Sequence, residues 1–212
     1  MRLSLIGMSG SGKSYWSMRL AERGFRRFRC DHLIAERLVA ELAMPDGTII
    51  GMGEWMGFPY EAQYKARESR YLSCEMEVLA EIIEYLGGAE NTPEENIVID
   101  TTGSVIYAGE SIIKDLRRFT TTVHLETPAE IQEQMLKAYI ENRRPVLWRD
   151  FFTREPNETD EEALVRCFSR LLSSREQLYR RYGDVTIEYG SLTAEGFGPS
   201  DFLNRVHGSL SP

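Results

Sequence analysis

The sequence predicts a three-layer α/β/α sandwich around a parallel sheet. Short apolar runs with strand character alternate with longer segments of helical periodicity, a pattern typical of parallel sheets with helices on both faces. The first run, residues 2–6, leads through a glycine-rich turn directly into a helix. Late in the chain, residues 142–158 are rich in arginine, aromatic residues and turn formers, and we expect them to form a lid insertion.

The first half of the chain contains two predicted strands and three predicted helices. The strands cover residues 2–6 and 25–30, and the helices cover residues 13–23, 31–42 and 61–86. Gly24 follows the first helix as a C-terminal cap. We expect the second strand to lie beside the first in the sheet. Residues 87–95 form a loop after the long helix.

The second half contains three predicted strands and three predicted helices. The strands cover residues 96–100, 121–125 and 184–187, and the helices begin at residues 110, 127 and 159. Two of these starts carry a capping box, in which a threonine is followed three residues later by a glutamate. These pairs are Thr127 with Glu130, and Thr159 with Glu162. The sequence beyond residue 190 is weakly patterned.

Residues 7–14 read GMSGSGKS and match the pattern G-x-x-x-x-G-K-[ST] of a phosphate-binding loop, or P-loop. The backbone N–H groups of such a loop point into one concavity and bind phosphate oxygens, next to the positive N-terminus of the following helix. Lys13 is expected to reach the terminal phosphates, and the Ser14 hydroxyl to bind Mg²⁺. We therefore predict a P-loop NTPase fold. The predicted nucleotide-binding residues of this loop are Gly7, Ser9, Gly10, Ser11, Gly12, Lys13 and Ser14.

Two other classes of nucleotide-binding protein fit the sequence less well. A dinucleotide-binding turn of the form G-x-G-x-x-G/A, started at Gly10, places Tyr15 at its last position. The base-reading motif N-K-x-D of GTPases does not occur in the chain. ATP is therefore the expected nucleotide.

The composition predicts one soluble domain. Of the 212 residues, 42% are hydrophobic and 27% are charged, as in ordinary globular proteins. The formal net charge of -8 argues against nucleic acid or an anionic membrane as a partner. Three separated cysteines without a C-x-x-C pair indicate reduced thiols, and no apolar stretch approaches the length of a membrane span. We expect a cytoplasmic protein without a signal peptide, present as a monomer or weak homodimer.

Two aspartates follow predicted strands, at the edge of a parallel sheet where ligands bind. Asp31 is expected to accept or orient the proton of an acceptor hydroxyl during phosphoryl transfer, although a helix N-cap is the alternative role. Asp100 ends a buried strand and is expected to hold Mg²⁺ through water, with an ordinary turn aspartate as the alternative. The three histidines have no ligand spacing and are expected to be structural or exposed.

Five segments behind the P-loop resemble, in order, motifs of shikimate kinases. The segment DHLI at residues 31–34 resembles D-x-x-I, and YKARE at residues 64–68 resembles F-R-x-x-E. Residues 99–105 fall where the family has a triple-glycine turn. The segment RPVL at residues 144–147 resembles R-P-L-L of the lid, and REQLY at residues 175–179 resembles R-x-x-L-Y.

The resemblance implies a small P-loop kinase that uses Mg²⁺ and transfers the γ-phosphate of ATP to a hydroxyl of shikimate. It implies one domain over residues 1–212, with a substrate-binding helical region over about residues 44–90 and a lid over about residues 142–158. The catalytic residues expected from the motifs together with the P-loop are Lys13, Asp31 and Arg144, of which Arg144 also contacts the nucleotide. The expected acceptor-binding residues are Asp31, Lys65, Thr102, Gly103 and Arg175. Ser14 and Asp100 are the expected metal-site residues.

The sequence departs from the family where the acceptor would lie. Lys65 replaces an arginine and loses its bidentate fork, and Thr101-Thr102 replaces two glycines. Arg29 stands where the family has a metal-side aspartate. We therefore expect phosphorylation of shikimate or a related small hydroxylated acid. The alternative is a regulatory ATP-binding protein that has lost catalysis, and a nucleotide kinase has less support.

Overall fold

A parallel sheet forms the middle layer of the computed structural model, which describes residues 1–88 and 94–210. Within these residues the sheet has five strands in the order β2-β3-β1-β4-β5, all paired in parallel. The strands are β1 (Arg2–Ile6), β2 (Arg26–Arg29), β3 (Ile97–Asp100), β4 (Thr121–Leu125) and β5 (Val185–Ile187). The predicted α/β/α sandwich with a parallel sheet is confirmed.

Helices cover both faces of the sheet. They are α1 (Lys13–Ala21), α2 (Cys30–Arg37), α3 (Val39–Leu42), α4 (Met52–Met56), α5 (Tyr64–Gly87), α6 (Glu110–Phe119), α7 (Ala129–Glu141), α8 (Asp160–Tyr182), α9 (Tyr189–Leu192) and α10 (Pro199–Leu210). Helices α1 and α10 pack on one face, whereas α2, α5, α6 and α8 contribute to the core on the other face. No helix of the described residues is both long and apolar enough to cross a bilayer. Of the predicted loop over residues 87–95, residues 89–93 lie outside the described part of the chain.

The prediction that the second strand lies beside the first is wrong. Strand β3 lies between them, with Leu3 opposite Val98 on one side and Arg27 opposite Val98 on the other. The four residues of β3 are all buried, whereas β2 reads RRFR and has exposed ends. A strand of that composition is suited to the edge of a sheet, and the wholly apolar run IVI to its interior.

Two helix starts differ from the sequence predictions, and a third is confirmed. The predicted helix over residues 31–42 is divided at Leu38, and it begins at Cys30 with Arg29 as its N-cap, so the N-cap alternative for Asp31 is wrong. The capping box at Thr127 is wrong as well, because α7 begins at Ala129 and its N-cap is Pro128, in extended conformation. The capping box at Thr159 is confirmed, with the Glu162 amide donating to the Thr159 hydroxyl at 3.2 Å.

The C-terminal segment is ordered around one aromatic cluster. Helix α10 buries Phe202 and Val206, and the Phe202 ring stacks on Trp16 with 5.0 Å between the ring centroids. The weak sequence pattern of this segment does not predict the helix. Its apolar side chains complete the core on the α1 face of the sheet.

Candidate active site

The P-loop connects the carboxyl end of β1 to the first turn of α1. Gly12 has a φ of 93° immediately before the helix, a left-handed conformation that side-chain-bearing residues avoid. Its position lets the chain turn sharply so that α1 begins at Lys13. The N-terminal end of α1 and the amides of the loop therefore face the same space, which favours an anion there.

Lys13 is buried beneath the loop and bonds to the loop itself. Its Nζ donates to the carbonyl oxygens of Gly7 and Met8, both at 2.8 Å. Burial lowers the pKa of this ammonium to about 8, and the nearby carboxylates of Asp31 and Asp100 oppose that shift. The lysine is thus held at the base of the phosphate site, near two acidic groups.

A polar cleft of about 440 Å³ lies over the loop and brings most of the predicted residues together. On the nucleotide side its lining includes Ser9, Gly10, Gly12, Lys13, Ser14 and Arg144. On the acceptor side it includes Asp31, Gly103 and Arg175. These residues come from both ends of the chain, and they meet because the sheet order places β1 next to β3.

Asp31 lies in the first turn of α2 and is accessible to solvent through the cleft. The hydroxyl of Tyr71, a buried residue of α5, donates to Asp31 Oδ1 at 3.1 Å. The surrounding protein atoms displace water from the Asp31 carboxyl, and this desolvation raises its pKa above the ordinary value. The charge of Lys13 and the Tyr71 hydrogen bond act in the opposite direction. A carboxylate fixed in this way can receive a proton from a hydroxyl group in the cleft.

Two arginines complete the charge distribution of the cleft. Nη1 of Arg144 lies 3.6 Å from the position that a Cβ atom would take at Gly10, so its guanidinium sits directly over the P-loop. Arg175 is only 3% exposed, and its Nη2 donates to the Leu147 carbonyl at 2.7 Å. The Arg175 guanidinium also lies over the Tyr107 ring, 5.4 Å from the centroid. The Arg175 guanidinium is therefore held in place before any anion binds, whereas the Arg144 side chain is exposed at the edge of the P-loop.

Two predicted acceptor-binding side chains do not face the cleft. Lys65 is exposed on α5 and does not line the polar cleft. The inward side of this helix is formed instead by Tyr64, Glu68 and Tyr71. The hydroxyl of Thr102 donates to Glu75. A direct acceptor contact for Lys65 or Thr102 stays a prediction.

The candidate metal site combines an exposed hydroxyl with a partnered carboxylate. Ser14 lines the cleft, whereas Asp100 is buried and accepts hydrogen bonds on Oδ2 from Arg27 at 2.7 Å and from Ser17 at 3.0 Å. Nη2 of Arg27 also donates to the backbone carbonyl of Ser14 at 3.1 Å, which holds the carboxylate near that residue. The described residues contain no group of three or more acidic, histidine or cysteine ligands. The donor set fits Mg²⁺, which binds readily through one hydroxyl, waters and phosphate oxygens.

A buried glutamate beneath the cleft was missed by the sequence analysis. Glu75 of α5 accepts hydrogen bonds from the hydroxyls of Thr102 and Ser104, the second at 2.7 Å. Burial raises its pKa to about 7, although both hydrogen bonds act in the opposite direction. Because Gly103 lies between the two hydroxyl residues, Glu75 fixes the backbone turn that forms the acceptor side of the cleft. One sequence pattern could have identified Glu75, because helical spacing places it on the same face of α5 as three other buried residues, Tyr64, Glu68 and Tyr71.

The segment expected to form a lid is anchored on α5 and α4. The Tyr64 hydroxyl lies 2.7 Å from Glu68 Oε1 and 2.8 Å from the Val146 carbonyl, and it accepts from the Trp148 amide at 2.7 Å. The Arg149 amide donates to Glu68 Oε1 at 2.8 Å. A Cβ atom at Gly53 of α4 would overlap the carbonyl group of Arg143, so the backbones of these two segments are in close contact. These anchors hold the start of the segment over the cleft.

Comparison with known proteins places the chain near one family. No protein-family model matches it. The shikimate kinase of Neisseria meningitidis serogroup C is 27% identical over 188 residues, which are 88% of this chain and 86% of the relative. The shikimate kinase of Tolumonas auensis is 28% identical over 194 residues, which are 90% of this chain and 88% of the relative.

A solved structure extends the likeness to the fold. Shikimate kinase from Acinetobacter baumannii in complex with shikimate matches with a TM-score of 0.63 at 22% sequence identity. The match covers 100% of this chain and 95% of that structure. The chain therefore has a P-loop kinase fold like that of shikimate kinases, and the predicted resemblance is confirmed over most of its length.

Proposed function

We propose that the protein is an ATP-dependent kinase that transfers the γ-phosphate to a hydroxyl of shikimate or a related small hydroxylated acid. The observation that carries the proposal is the cleft in which the P-loop with Lys13, the carboxylate of Asp31 and the guanidinium of Arg175 line one space. Relatives named shikimate kinase and a structural neighbour bound to shikimate support this choice of acceptor.

The nucleotide side of the cleft binds and neutralises phosphate groups. The P-loop amides bind the β- and γ-phosphate oxygens of ATP, and Lys13 exchanges its loop carbonyls for these oxygens. Arg144, which lies over Gly10, stabilises the charge on the transferring phosphoryl group. Ser14 would hold Mg²⁺ through its hydroxyl, and Asp100 would hold it through water. When bound, this ion neutralises phosphate charge and orients the leaving group.

The acceptor side positions the hydroxyl group. Arg175 binds the carboxylate of the acid, and Asp31 accepts the proton of the acceptor hydroxyl. The hydroxyl oxygen then attacks the γ-phosphorus, the bond from this phosphorus to the bridging oxygen breaks, and ADP leaves. Tyr71 fixes the orientation of Asp31 by its hydrogen bond. The turn around Gly103 shapes the wall of the site. The proposed acceptor-binding helical region covers about residues 44–90, of which 89 and 90 lie outside the described part of the chain, and the proposed lid covers about residues 142–158.

A second candidate function is a regulatory ATP-binding protein without catalysis. The observation that favours it is the pair of arginines near the metal site, since Arg27 bonds to Asp100 and Arg29 replaces an acidic residue of the family. Both candidates are expected to be cytoplasmic, with the protein a monomer or weak homodimer and without nucleic acid or membrane as a partner.

Release of ADP from Mg-ATP, measured with and without shikimate, tests the proposal. We expect shikimate-dependent release, with Lys13→Ala and Asp31→Asn lowering kcat by about 100-fold or more. Glu36→Gln, an exposed change on the same helix as Asp31, serves as the control and is expected to retain activity. If ATP binds in a parallel calorimetric titration but neither shikimate nor related hydroxy acids stimulate release, the regulatory function is the correct one.

A further inference from the structure

A second, apolar cavity adjoins the polar cleft. It has a volume of about 230 Å³ and lies between α7, α8 and the P-loop. Most of its wall is apolar and includes Ile131, Met135 and Ala138 from α7 together with Phe168 and Leu172 from α8. We call this cavity the apolar chamber.

The chamber and the cleft share one border. Ser9, Gly10, Arg144 and Arg175 line both cavities, so the two spaces adjoin at these residues. The border carries two guanidinium groups. It therefore favours an anionic group at the junction, with an apolar group beyond it.

The chamber has the size and chemistry of a small hydrocarbon subsite. An apolar cavity of about 150 Å³ can hold a benzene molecule, so this one can accommodate a phenyl ring or a branched alkyl group. The α7 part of the wall contributes two polar side chains, Gln134 and Tyr139, and the Tyr139 hydroxyl is already partnered because it accepts a hydrogen bond from Trp148 Nε1 at 3.1 Å. A compact, fully hydroxylated acid has no apolar part with which to contact these side chains.

We propose that the chamber binds an apolar substituent of the acceptor, so that the preferred ligand class is a hydroxylated carboxylic acid carrying a phenyl or branched alkyl group. The carboxylate binds at Arg175, the hydroxyl faces Asp31 in the cleft, and the substituent contacts α7 and α8. This inference rests on the proposed kinase function for its choice of an acid with a free hydroxyl, and direct binding measurements test it separately from turnover.

Lactate and 3-phenyllactate are the two probes, since they differ by one phenyl ring. Their dissociation constants are measured by ligand-observed NMR titration, with and without a non-hydrolysable ATP analogue. We expect 3-phenyllactate to bind the wild-type protein about tenfold tighter than lactate or more, because it removes a phenyl ring from water. Equal affinities for the two acids would overturn the proposal.

Filling the chamber provides the matched test. Ala138→Leu on α7 and Leu172→Phe on α8 each reduce the chamber from a different side, and thermal unfolding identifies a variant that fails to fold. We expect either folded variant to lose the preference for 3-phenyllactate, whereas Ala80→Leu, at an exposed position of α5, retains it. A preference that survives in the filled variants would refute the assignment of the phenyl group to this chamber.

Two further outcomes separate the possible occupants and functions. Displacement of 3-phenyllactate by the ATP analogue would assign the chamber to the nucleotide and overturn the proposal. A phenyl preference that depends on the chamber, found together with no ADP release for any acid, would support the chamber and refute the kinase function.

Discussion

Replacement of Glu75 by glutamine is expected to remove a pH dependence from the stability of the protein. The buried carboxyl has its pKa raised from 4.5 to about 7, so the folded protein holds this proton more tightly than the unfolded chain does. The resulting stabilisation is fully present below pH 4.5 and is lost as the pH rises through about 7. At about 1.4 kcal/mol for each pKa unit, the loss amounts to roughly 3 kcal/mol of unfolding free energy.

Urea unfolding followed by tryptophan fluorescence measures this effect, since Trp16, Trp55 and Trp148 are all buried. The free energy of unfolding is determined between about pH 4 and about pH 8 for the wild type and for Glu75→Gln. The variant is expected to gain roughly 3 kcal/mol relative to the wild type over this range, because glutamine does not ionise. Glu84→Gln, an exposed change on the same helix, is the control. A constant difference between Glu75→Gln and wild type at all pH values would refute the reasoning.

Three further changes test other contacts of the site. Tyr71→Phe removes the hydrogen bond that lowers the pKa of Asp31, so the acidic limb of the pH profile for shikimate-dependent ADP release is expected to move to higher pH; an unchanged limb would contradict the role of this bond. Gly53→Ala places a methyl group against the carbonyl of Arg143 and is expected to lower the free energy of unfolding by about 2 kcal/mol or more. Urea unfolding measures this change, and an unchanged free energy would show that the two backbones can separate. Arg27→Gln releases Asp100 from its ion pair and is expected to tighten Mn²⁺ binding in the presence of ATP by about threefold or more. Electron paramagnetic resonance measures this binding, and weaker binding in the variant would assign Arg27 a supporting role at the metal.

Features fixed by neighbouring residues were predicted well from the sequence. The P-loop requires a strand, a glycine-rich turn and a helix in immediate succession, and the structure has β1, residues 7–12 and α1 in that order. The capping box at Thr159 is likewise a contact within one turn. In both cases short-range geometry decides the structure, and the residues that determine it lie side by side in the chain.

Features that depend on distant partners were not predicted. Strand β2 lies at the sheet edge because β3, a segment much later in the chain, occupies the place next to β1. In the sequence, Glu75 resembles an exposed glutamate of a long helix. Only the fold shows that it accepts hydrogen bonds from the hydroxyls of Thr102 and Ser104, which are distant in the chain. The side of α5 on which Lys65 lies is determined by the packing of Tyr64 and Tyr71, which the short motif does not encode.

Helix α5 contacts both the nucleotide side and the acceptor side of the cleft. Tyr64 and Glu68 hold the backbone that carries Arg144, and one helical turn later Tyr71 holds Asp31. A ligand that shifts α5 from the acceptor side therefore also shifts the arginine over the phosphates. We expect binding of the two substrates to be coupled, and thermodynamic reciprocity requires that each change the affinity of the other by the same factor.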